Sequence, residues 1–182
     1  MAVRAGSEPK QAQKVQYPAG KKVQYPAGKA LTSNAESGII DTEEFHCYGD
    51  YLRDRMGSAK DNNPEQLLAI KNDVESKGGK LILLKDNTKM VCNIRKGEPG
   101  IIEVDENISL GGLMHEYRHF LDDIENGNPG LAYYLQDRDA FFKYEKRGYE
   151  EELKIARDIG DKEAEEKILG EIEKRRKEIY GE

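Results

Sequence analysis

Residues 115–119 read His-Glu-Tyr-Arg-His, and the whole chain has only three histidines. Side chains four apart on a helix share one face, with Cβ atoms ~6 Å apart. His115 and His119 can therefore aim ring nitrogens at one metal ion. Zinc takes imidazole at ~2.0–2.1 Å, and its catalytic sites use three protein ligands and keep one position open. Glu116 is turned about 100° around the helix from His115. That is too far round for an equal ligand but within reach of a water at the ion, where a Glu serves as general base. The chemistry implied is zinc-assisted hydrolysis, with the ion as Lewis acid.

A third ligand must come from elsewhere. Glu125 lies six residues beyond His119, but Asp122 stands where a helix-breaking Gly would be needed and the helix continues. The following helix offers carboxylates instead. Its stripe of Leu131, Leu135, Phe142 and Tyr149 includes Asp139, and a carboxylate on a core-facing stripe is costly unless paired. Asp139 is the favoured third ligand, with Asp137 and Glu145 as alternatives and a salt bridge to Lys143 or Arg138 as the plainer role. Asp123, four after His119, could accept the other N–H of a ligand His. Tyr133, Tyr134 and Tyr144 could donate to an oxyanion, although aromatics at helical spacing more often build core. Gly111-Gly112 opens the helix and allows close packing or substrate approach.

These residues need a scaffold. A helix is predicted over 42–56, capped by Asp41 or Thr42, with Phe45, Tyr48, Leu52 and Met56 as its stripe and His46 off it. A second helix starts at Asn63-Pro64 and stops at Gly78-Gly79. Three strands follow, over 80–85, 89–94 and 100–105, and Asp86-Asn87-Thr88 suits a hairpin turn between the first two. The motif helix is predicted over 110–126, capped by Ser109 and ended by Gly127. After the turn Asn128-Pro129-Gly130, one long helix is predicted from Leu131 to Ile159. Residues 161–180 read as a charged helix whose thin stripe of Ile168, Leu169, Ile172 and Ile179 could pack back on the domain. Strands grouped apart from helices predict an α+β fold.

The apolar residues concentrate between Ile39 and Ile159, although charged residues make up 35% of the chain. The expected organisation is a disordered linker over 1–33, a domain over 34–160 and a charged helical tail over 161–182. The linker holds a repeat, Lys-Val-Gln-Tyr-Pro-Ala-Gly-Lys at 14–21 and again at 22–29, too short for a solenoid. A net charge of −6, with the basic excess confined to the head, argues against a nucleic-acid partner. No stretch approaches the ~18 apolar residues of a membrane span, and no apolar signal-like segment opens the chain. Cys47 and Cys92 form no C-x-x-C pair, so thiolate zinc is not expected, and one disulfide between them is left open.

The stretch Gly111–Asp139 resembles the zincin metallopeptidases, in particular a small gluzincin-like branch whose second helix supplies a carboxylate. The residues that carry this are His115-Glu116-x-x-His119, the preceding strand Ile101–Asp105, and Arg138-Asp139-Ala140, where members often have Glu before Ala. The layout also resembles metallopeptidase toxin domains of bacterial polymorphic-toxin and type VI secretion effectors. That resemblance implies a zinc peptidase cutting a protein substrate in the cytoplasm of a target cell, and an immunity protein as inhibitor. The competing expectations are a housekeeping or mobile-element metallopeptidase, a non-catalytic protein-binding module on a zincin-like fold, and a nuclease with a His-based metal site.

Overall fold

A computed structural model describes residues 49–85 and 90–181, and in them the chain forms an α+β fold. The predicted linker and its repeat, most of the predicted first helix, His46, Cys47 and the turn Asp86-Asn87-Thr88 lie outside the described residues.

Of the helix predicted over 42–56, the described part is helical only at Arg53–Met56 (α1). Asp50 has a different task. Its carboxylate accepts hydrogen bonds from the backbone N–H (2.6 Å) and the hydroxyl of Ser109, and Gly49 turns the chain at φ 99°. A one-turn helix Ala59–Asn62 (α2), capped by Ser58 and not foreseen, leads into Pro64–Ser76 (α3). Pro64 at the start of α3 fits the prediction, because the first helical N–H needs no partner. Ile70 and Val74, four apart, are the face that α3 buries.

The strands are Lys80–Leu84 (β1), Met90–Arg95 (β2) and Glu98–Asp105 (β3). Their order is β1-β3-β2, which corrects the expected hairpin between β1 and β2. Instead β1 runs parallel to β3, with Leu81 opposite Ile102, and β2 runs antiparallel to β3, with Cys92 opposite Ile102. A two-sided partner is the reason. β3 is the longest strand, and Ile102 and Val104 on its inner face are fully buried. Among the described residues β1 lies at an edge, and its Ile82 and Leu83 are exposed.

Leu110–Glu125 (α4) lies across β2 and β3. Ser109 caps it, accepting from Gly112 N–H. Two glycines of the sheet region let α4 come close: a Cβ at Gly79 would stand 2.4 Å from the Phe120 ring, and one at Gly100 3.2 Å. Within α4 the Gly111-Gly112 pair serves close packing, Gly111 against Leu52 and Gly112 against Met90 and Ile108.

The long helix predicted over 131–159 is broken. Leu131–Leu135 (α5) ends before Asp137, whose extended backbone and carboxylate cap a new helix, Arg138–Asp158 (α6). Asp137 accepts from Asp139 N–H (2.8 Å) and Ala140 N–H (3.3 Å). The break resets the helical phase, so the buried face of α6 is Phe141, Tyr144, Glu145, Gly148, Tyr149, Glu152, Leu153 and Ala156. Lys162–Tyr180 (α7), capped by Asp161, packs along α6 through Ala164, Ile168 and Arg175. Among the described residues no helix is long and apolar enough to cross a membrane.

Candidate metal centre

α4 and α6 pack side by side, and the surface between them buries polar groups among aromatic rings. From α4 come His115 (0% exposed), Glu116 (1%) and His119 (3%), and from α6 come Glu145 (6%) and Glu152 (1%). Glutamates are almost never this buried unless paired. His115, His119 and Glu145 each bring one ligand atom to within 4.8 Å of the other two. This buried group could hold a metal ion. Two imidazoles and a carboxylate are a donor set of catalytic metal sites that leave one position open.

Two features orient the pair of histidines. His115 donates Nδ1–H to Glu152 Oε1 at 2.6 Å, which fixes the ring and leaves Nε2 as its ligand atom. That ring lies directly on α6, where a Cβ at Gly148 would stand 2.5 Å from Nε2. A glycine is therefore required for His115 and α6 to meet. His119 stacks on Tyr144, with ring centres 3.9 Å apart and 17° between planes. Its Nε2 lies 3.8 Å from Glu145 Oε1, and neither of its ring nitrogens has a hydrogen-bond partner. A buried polar atom left this way costs ~1–3 kcal/mol, and a cation at Nε2 would remove that cost.

The electrostatics point the same way. Burial pulls the His115 pKa down, but the hydrogen bond and charge of Glu152, with the charges of Glu116 and Glu145, outweigh it and push it up to about 9. Burial, the neighbouring His115 and the cations Arg118 and Arg175 hold His119 well below the ordinary range. Burial also raises Glu152, against the opposing effect of His115. Three acidic side chains, Glu116, Glu145 and Glu152, are thus buried in the same region as the two imidazoles and Arg175. A divalent cation would balance them better than a proton does.

The structure brings together His115, Glu116 and His119 as the sequence predicts, but not Asp139. Asp139 is exposed in the first turn of α6 and accepts a hydrogen bond from the Tyr180 hydroxyl at 2.5 Å. It lies six residues, or ~9 Å of helix, before Glu145, which is the acid gathered with the two histidines. Asp137 is spent as the cap of α6. Glu125 is exposed and pairs with Arg118 and Arg147. Asp123 does not serve a ligand His: it accepts from Gly130 N–H at 3.0 Å and so ties down the 127–130 turn. The orienting carboxylate is Glu152, which the sequence reading missed. Its signal was its spacing, seven residues after Glu145 and three after Tyr149. Tyr134 and Tyr144 are core, and Tyr133 is 54% exposed.

Comparison with protein-family models, with curated proteins and with solved structures gives no significant match.

Proposed function

We propose that the chain is a zinc metallopeptidase, with His115, His119 and Glu145 as ligands and Glu116 as general base. The observation that carries the reading is the buried His119 Nε2 without a hydrogen-bond partner, gathered with His115 and Glu145 beside a buried Glu116. Two His and one Glu favour zinc among the common divalent ions. When bound, zinc supplies a Lewis acid that polarises a carbonyl and acidifies water. Glu116 follows His115 by one residue, and in this reading its carboxylate takes a proton from the attacking water and passes it to the leaving amine. Glu152 keeps His115 in the tautomer that presents Nε2. Gly148 gives that ring its room, and Tyr144 holds His119 flat against α6.

The effector role, acting on a protein inside a target cell and countered by an immunity protein, is proposed with it on the resemblance of motif and layout. The test is zinc content, hydrolysis of a denatured protein substrate, and toxicity on cytoplasmic expression, for the parent and Glu116→Gln. Zinc in both, with hydrolysis reduced ~10²–10⁴-fold in the variant and toxicity only in the parent, is expected. Zinc and hydrolysis without toxicity would favour a housekeeping peptidase. Zinc with no hydrolysis by either would favour a binding module.

A further inference from the structure

α7 is strongly charged and rests on α6 through few buried side chains, yet one of them is an arginine. Arg175 is 8% exposed, a degree of burial that this side chain rarely reaches without paired carboxylates. Two carboxylates meet it. Its Nη1 donates to Glu178 Oε2 at 3.0 Å, within α7, and its Nε lies 3.7 Å from Glu145 Oε2, on α6. The two oxygens of Glu145 therefore have separate neighbours. Oε2 faces Arg175, while Oε1 faces His119 Nε2 at 3.8 Å.

We propose that Arg175 is a positioning residue of the metal centre, which holds one oxygen of Glu145 so that the other stays turned towards the two histidines. The inference rests on the reading of His115, His119 and Glu145 as a metal centre. Glu145 has several rotatable bonds and, without a fixed outer partner, would sample orientations that point away from the ion. Ligand carboxylates depend on outer partners, and losing a hydrogen-bonded one costs ~10–100-fold in metal affinity; the contact here is an ion pair at 3.7 Å, which would shorten to a hydrogen bond when Glu145 holds an ion. α7 then belongs to the site as much as to the surface, since it carries the group that sets the third ligand. A clamp that only fastened α7 to α6 would affect the melting temperature and leave the ion's surroundings unchanged.

The test uses Co2+ alone as probe, on the full chain, reading its dissociation constant and its visible absorption, with circular dichroism to confirm folding. The variants are Arg175→Met and Arg175→Lys, each alone and combined with Glu145→Gln. Arg175→Met should weaken Co2+ binding ~10–100-fold and alter the visible spectrum. Arg175→Lys, which keeps the charge but loses the planar fork, should recover part of both. On the Glu145→Gln background neither substitution should have a further effect, because the influence runs through Glu145. Parental affinity and spectrum in folded Arg175→Met overturn the proposal. If Arg175→Met does not fold, the same result for Arg175→Lys overturns it. A folded parent that binds no Co2+ removes the metal centre itself, and the role of Arg175 with it.

Discussion

Helix α4 has two kinds of neighbour. Towards the sheet its packing is apolar: Phe120 sits over Gly79 and Gly100, and Leu113 is fully buried. Towards α6 it buries two imidazoles and faces two carboxylates. The first contact stabilises by removing apolar surface from water. The second removes polar and charged groups from water and recovers that cost only in part, since His119 is left with both ring nitrogens unsatisfied. Buried, electrostatically perturbed groups of this kind cluster at functional sites, although structural ion-pair networks produce them too. The sheet face anchors α4, and the α6 face gathers the group that could hold a metal ion.

The division can be tested by damaging one face at a time. Phe120→Ala should destabilise the fold by about 3–5 kcal/mol, read from urea denaturation. Zinc affinity of the protein that remains folded should stay within a few-fold of the parent. A large loss of affinity with little loss of stability would mean the two faces are not separable. Glu152→Gln should do the reverse, lowering zinc affinity ~10–100-fold with a smaller change in the denaturation midpoint. Unchanged zinc affinity there would remove Glu152 from the site.

A smaller effect comes with pH. In the metal-free protein His115 keeps its proton up to about 9, and that proton must leave when an ion binds. The raised pKa sets the sign: affinity should increase with pH, by about tenfold per unit up to pH 9, and level off above it. Calorimetry in buffers of different ionisation enthalpy would show one proton released per ion at neutral pH. No proton release would mean that His115 is already neutral or is not a ligand.

What the sequence made legible follows from local rules. The cap Ser109, the pairing of His115 with His119 and the start of α3 at Pro64 depend on residues within a turn or two of one another. Misreadings arose where distant groups decide. Asp50 leaves the helix predicted for it because its partner, Ser109, is 59 residues away. The sheet order depends on which strand can pair on both sides, and the good turn after β1 does not reveal that. Helical phase explains why Glu145 rather than Asp139 is gathered with the two histidines: counted from Leu131 the stripe reaches Asp139, whereas counted from the cap at Asp137 it reaches Glu145 and Glu152. Asp-Arg-Asp at 137–139 is a helix start in its own right, and recognising it would have moved the choice from Asp139 to Glu145. The docking of α7 was legible in its thin stripe, of which Ile168 is buried and Ile172 and Ile179 pack against the core while Leu169 stays exposed, whereas the burial of Arg175 has no local signal in a helix dominated by charge.

The most direct measurement is an equilibrium zinc titration of the metal-stripped parent beside Glu145→Ala and Asp139→Ala. One equivalent bound by the parent is expected, with Asp139→Ala the same and Glu145→Ala weaker by more than the ~100-fold that an outer partner can cost. No saturable binding by the folded parent, or a loss confined to Asp139→Ala, would contradict the metal centre described for α4 and α6.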